Sequence, residues 1–180
     1  MSDWQPLKRP RYTTGRLLTA DDFTLEQDYF RGKLKRHNRT LHGFGIVSGL
    51  KVSTQSGQVV VAPGLALDCE GNELVVCATQ TIAVTVEHGV VYVSLRYLEV
   101  EADPIPIASD PGSDLTVNQT SSITESVALS VGADNCNRGH RHVRARWLAC
   151  GNAHALTIAK LRRGAHGWRV DRGYRPPAVK

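Results

Sequence analysis

Between Leu41 and Ile46 the spacing of apolar residues in this chain changes from a helical period to a period of two. Before the change, Phe23, Phe30, Leu34 and Leu41 are 7, 4 and 7 residues apart, which places them on one face of a helix. After it, short alternating runs separated by glycine turns continue to the end of the chain. A helix feeding a long series of short strands constrains the fold more than composition does. It predicts a mainly β protein, a sandwich or barrel-like domain preceded by one long α-helix.

The helix is expected from about Ala20 to Leu41. Thr19 stands at the N-cap position, and Asp21 and Asp22 suit the positive end of the helix dipole. Lys33, Lys35, Arg36 and Arg39 fall in the second half, where the dipole favours cations. His42-Gly43 is the stop signal, and Asn38 is placed to tie the helix end to the strand that follows. The sequence predicts strands at Ile46–Val52, Gln58–Ala62, Leu65–Leu67, Glu73–Cys77, Thr81–Val86, Val90–Leu98, Ser126–Val131, Ala155–Leu161 and Trp168–Val170. Ser56-Gly57 and Arg163–Gly167 are read as hairpin turns.

This pattern divides the chain into an N-terminal arm (1–18), the helix (19–43), a β-domain (44–173) and an extended tail (174–180). Pro6 and Pro10 mark the arm, and Pro176-Pro177 mark the tail. Residues 101–121 contain Pro104, Pro106, Pro111 and Gly112 and are read as a long loop inside the β-domain.

Charge is segregated along the 180 residues. Residues 1–51 hold ten Lys/Arg against five Asp/Glu, 52–135 hold one against eleven, and 136–180 hold eleven against one. The basic ends can neutralise the acidic middle within one molecule, or dock on an acidic neighbour in an assembly. A nucleic-acid partner is the least favoured of the three readings. No apolar run approaches the roughly 18 residues of a membrane helix, and Met1–Pro10 lacks the apolar core of a signal peptide. Neither membrane insertion nor secretion through a leader is expected, and synthesis and assembly are expected in the cytoplasm.

Several residue clusters could carry chemistry. Gly43-Phe44-Gly45-Ile46-Val47-Ser48-Gly49 has the wrong spacing for a dinucleotide loop and follows a helix, so it reads as a helix-to-strand turn. His37 and His42 flank the helix end and suit its free carbonyls. Cys136, His140, His142, Cys150 and His154 have the donor types that zinc prefers, but their spacing matches no standard module. Three outcomes stand for this set: a structural zinc, a Cys136–Cys150 disulfide, or free groups as the default. No other cofactor is implied. The carboxylate pairs Asp21/Asp22, Asp68/Glu70 and Glu99/Glu101 do not designate a hydrolase. Trp4, Trp147 and Trp168 read equally as base- or sugar-stacking residues and as core or interface anchors.

Several stretches resemble one family. They are Tyr12–Phe23, Glu26–Tyr29, Arg36–Leu50, Ala62–Asp68 with Gly71–Glu73, Leu95–Tyr97 and Asp103–Pro106. The chain is similar over residues 12–107 to small proteins encoded beside baseplate and tail components of phage-like contractile injection systems. Such proteins often carry more cysteines near the long loop, whereas this chain has none between Cys77 and Cys136. The resemblance implies a non-enzymatic structural subunit whose partners are other tail or baseplate proteins in a symmetric assembly, with release as part of an extracellular particle. It supplies no catalytic residue. The residues expected to meet neighbours are Arg9, Arg11, Tyr12, Arg16, Lys33, Arg36 and Arg39, with 101–121 and the tail as further contacts. The rival readings are a β-sandwich module for a receptor or carbohydrate at a tail tip, and a zinc-stabilised binding protein.

Overall fold

Thr19 is the N-cap of the helix and forms a capping box with Asp22. The Asp22 carboxylate reaches back and accepts from the Thr19 backbone N–H and from its hydroxyl, both at 3.2 Å. The computed structural model describes residues 6–86, 89–108, 116–138 and 154–179. In it α1 runs Ala20–His37 and ends in one wide π-helical turn, Asn38–His42, closed by the Gly43 N–H on the Asn38 carbonyl at 3.0 Å. Gly43 then takes φ 79°, a conformation that glycine reaches without steric cost.

Among the described residues ten strands follow: β1 Gly45–Gly49, β2 Val52–Gln55, β3 Gln58–Val61, β4 Gly64–Leu67, β5 Glu73–Val76, β6 Gln80–Ala83, β7 Val90–Ala108, β8 Thr116–Gly132, β9 Ala155–Gly164 and β10 Gly167–Val170. They form three sheets, ordered β1-β4-β5, β2-β3-β6 and β10-β9-β7-β8. All three contribute to one core. Val59, Val61, Leu74, Val76, Val91, Val93, Leu95, Leu156 and Leu161 are its fully buried side chains. The fold is mainly β, a β-sandwich preceded by one helix, as the change of period predicts.

Two local expectations are corrected. The run Ile46–Val52 is not one strand. Leu50 turns left-handed (φ 55°) and is buried, so the chain leaves the first sheet at Gly49 and enters another at Val52. Residues 101–108 and 116–121 are not loop: Glu101–Ala108 pair with Thr116–Ile123 in an antiparallel arm that continues β7 and β8, and 109–115 lie outside the described residues. The tail is bonded to the first strand. Ile46 donates to the Pro177 carbonyl at 2.9 Å, Val179 donates to the Ile46 carbonyl at 3.0 Å, and Ala178 bridges Ile46 in parallel.

The prolines explain the second correction. β7 pairs with β9 only as far as Arg96. Beyond that point β8 is its one neighbour among the described residues, and its other edge has no described strand beside it. Pro104 and Pro106 are two residues apart, so both direct their missing N–H to the same side, and an edge strand tolerates this when that side is the open one.

Candidate interaction surface

α1 is fixed to the β-domain by its flank. Asn38, buried in the wide turn, donates from Nδ2 to the Gly71 carbonyl at 3.0 Å. Arg31 pairs with Glu99 on β7, and Lys35 Nζ lies 5.7 Å from the centre of the Tyr97 ring. The receiving surface is a rigid turn between β4 and β5. The buried Asp68 carboxylate accepts from the backbone N–H of Glu70 at 2.8 Å, and from the backbone and side chain of Asn72 at 2.9 and 2.8 Å. Burial pushes the Asp68 carboxyl up from the ordinary range, against the pull of those hydrogen bonds. Burial also pushes the Tyr97 phenol up, reinforced by its hydrogen bond to Glu99.

The N-terminal arm lies along α1. Leu7 packs on Gly32, Arg9 and Lys33 lie over the Tyr29 ring at 5.9 and 5.6 Å, and the Tyr12 hydroxyl donates to Glu26 at 2.6 Å. Arg16 pairs with Asp22 and donates to the Arg11 carbonyl at 3.1 Å. Of the residues expected to meet neighbours, Arg9, Tyr12, Arg16 and Lys33 therefore each make a contact within the arm and helix. Arg36 and Arg39 line a cleft with Gly32, Lys35 and Glu70.

With one flank on the β-domain and another under the arm, the apolar stripe of α1 is left in solvent. Phe23, Phe30, Leu34 and Leu41 are 52%, 61%, 51% and 65% exposed, and none belongs to the core. Isolated exposed apolar residues are ordinary, but a stripe along a helix is the mark of an interaction face.

A second exposed apolar surface lies on the β7–β8 arm, which the sequence reading missed because the prolines concealed its alternation. Ile105, Ile107 and Val117 are exposed near its outer end, and Ile107 stands directly opposite Val117. Glu99, Glu101 and Asp103 lie on the same arm.

Of the proposed zinc ligands, Cys136 and His154 are among the described residues, and His140, His142 and Cys150 lie outside them. Cys136 donates its backbone N–H to Thr157 Oγ1 at 2.9 Å. His154 meets a partner that sequence spacing did not suggest. Its Nδ1 lies 3.2 Å from Cys69 Sγ, and its Nε2 lies 2.9 Å from Glu70 Oε1. A thiol and an imidazole are donors that zinc accepts, and a carboxylate on the far ring nitrogen is the usual outer partner of a metal-binding histidine. Among the described residues, no three His, Cys, Asp or Glu side chains converge as a ligand set. Of the tryptophans, Trp168 is buried in the core and is removed from any sugar-stacking role, while Trp4 and Trp147 lie outside the described residues. Among the described residues no helix is long and apolar enough to cross a membrane.

No protein-family model matches the chain, and no curated protein does. Solved structures share its fold. The chain is similar to one in the TssK-TssF-TssG baseplate subcomplex of the type VI secretion system, with TM-score 0.58, 12% identity, and coverage of 96% of this chain and 62% of that one. It is similar to a chain of the type VI secretion baseplate complex, with TM-score 0.57, 14% identity, and coverage of 96% and 60%. It is also similar to the crystal structure of TssK, with TM-score 0.56, 14% identity, and coverage of 96% and 42%. The chain thus spans about three fifths or less of the length of these proteins, and at such identities the likeness is one of fold.

Proposed function

We propose that this chain is a non-enzymatic structural subunit at the baseplate, or another tail-end position, of a contractile phage-tail-like particle. Its partners are other baseplate proteins. One observation carries the reading: a helix tied to the β-sandwich by a few contacts leaves Phe23, Phe30, Leu34 and Leu41 in solvent. A protein that acted alone would gain stability by turning that stripe inward, at about 1.5–3 kcal/mol for each large side chain fully buried. Supporting it are the fold shared with chains of type VI baseplate complexes and the sequence resemblance to proteins encoded beside tail components.

The arm, α1 and the β7–β8 hairpin are the gripping elements, and the sandwich is the rigid body that spaces them. Arg11, Arg36 and Arg39 supply positive charge around the helix for an acidic neighbour. The subunit is assembled in the cytoplasm and reaches the outside only within a particle.

The reading is tested by joint replacement of Phe30→Glu and Leu34→Glu, followed by expression with the neighbouring tail genes. The variant is expected to keep its circular dichroism and unfolding midpoint and to be missing from purified particles. Incorporation at the wild-type level would overturn the gripping role of α1.

A further inference from the structure

The two exposed apolar surfaces of this chain differ in charge. The second half of α1 and the π-helical turn after it are basic, with Arg31, Lys33, Lys35, Arg36 and Arg39 beside the stripe of Phe30, Leu34 and Leu41. The β7–β8 arm is acidic, with Glu99, Glu101 and Asp103 leading to Ile105, Ile107 and Val117. An apolar stripe edged by cations and an apolar arm edged by carboxylates complement each other in both respects. Such complementarity fixes register and raises the rate of encounter.

The chain already makes this pairing once within itself. At the base of the arm Arg31 meets Glu99, and Lys35 lies over Tyr97. Leu34 lines the cleft there together with Tyr97 and Glu125. From Glu99 to Ala108 the arm continues for nine residues, about 30 Å at the rise of a strand. Its outer apolar residues remain exposed, as does the stripe of α1.

We infer that the occupant of the α1 stripe is a second copy of this chain, which lays the outer end of its β7–β8 arm along the first copy's helix. The contact is heterologous: each copy offers a helix to one neighbour and an arm to another. Repetition closes a ring if the rotation permits and otherwise extends a filament. The inference goes beyond the baseplate reading and does not depend on it, because self-association is measured on the purified chain and incorporation on particles.

The test uses two full-length variants. One carries Phe30→Glu with Leu34→Glu and so loses the helix surface. The other carries Ile105→Asp with Ile107→Asp and so loses the arm surface. Circular dichroism first establishes that both are folded. In light scattering across a wide concentration range, the wild-type chain is expected above monomer mass, with the larger species diminished by added salt. Each variant alone is expected to be monomeric. Mixed together, they are expected to form a one-to-one dimer, since each retains the surface that the other has lost. A wild-type chain that stays monomeric at every concentration would overturn the proposal. So would an arm variant that still self-associates while the helix variant does not, because the helices would then be pairing with each other. Two monomeric variants that remain monomers on mixing would also count against it.

Discussion

Asn38 Nδ2 donates to the Gly71 carbonyl at 3.0 Å, across a gap of 33 residues in sequence. This bond joins the end of α1 to the turn between β4 and β5. The approach is close: a Cβ added at Gly71 would collide with the Lys35 carbonyl, and Gly71 has φ 89°. Asn38→Ala leaves a buried carbonyl unpaired and should cost about 1–3 kcal/mol. Gly71→Ala adds backbone strain of about 1–3 kcal/mol, and the collision comes on top of it. Urea unfolding should rank the two in that order. Amide exchange should speed up in Ala20–His37 before it does in β7.

The sequence made the helix legible because Phe23, Phe30, Leu34 and Leu41 keep one period over five turns. It also exposed the hairpin at Ser56-Gly57, where both residues take positive φ. It named Asn38 as an anchor but assigned it to the following strand, whereas the anchor point is Gly71. Cys69 and His154 are 85 residues apart, and no local pattern could have joined them. The β7–β8 arm was hidden because prolines normally end strands, and sequence alone does not say which edge is open. The exposure of the α1 stripe was equally illegible, since an apolar face reads the same whether its own domain or another molecule covers it.

The contact of His154 with Cys69 and Glu70 sets the order in which the thiols react. Cys69 is buried, and Cys77 is exposed. Alkylation of the native protein should modify Cys77 before Cys69, with Cys69 protected until the domain opens. His154→Ala removes a partner from both Cys69 and Glu70 and should cost about 1 kcal/mol. It should also accelerate labelling of Cys69. Mass spectrometry of timed samples reads both effects, and early labelling of Cys69 in the wild type would contradict the placement.

Acid should loosen the C-terminal segment through Asp171. Its carboxylate accepts from Arg162 Nε at 2.7 Å and from the Gly173 N–H at 3.0 Å, with Lys160 Nζ at 3.4 Å. The Arg162 bond, followed by the Gly173 bond, holds its pKa down from 3.8 to about 2. Because the folded state binds this proton more weakly, the stabilisation is present above pH 3.8 and disappears as pH falls through about 2. Asp68 acts in the opposite sense. Its pKa is raised by burial, so its contribution declines as pH rises from 3.8. Asp171→Asn should therefore lower the unfolding midpoint at neutral pH, and the gap to wild type should close between about pH 4 and pH 2. A gap that stayed constant over that window would exclude Asp171 as its source.

Removal of residues 1–18 should separate folding from assembly. Among the described residues the buried core begins at Leu50, and none of residues 6–18 enters it. What the arm contributes is peripheral: Tyr12 on Glu26, Arg16 on Asp22, Leu7 on Gly32 and Arg9 over Tyr29. Exposed polar and ionic contacts of this kind are worth about 0.2–1 kcal/mol each. The truncated chain should therefore keep the near-ultraviolet signal of the sandwich and unfold at nearly the wild-type midpoint, with some fraying at the start of α1. It should nevertheless be absent from assembled particles, because the arm carries Arg9, Arg11, Tyr12 and Arg16 along the helix proposed to grip a neighbour. A truncated chain that folds and enters particles normally would confine the gripping surface to α1 and the β7–β8 hairpin.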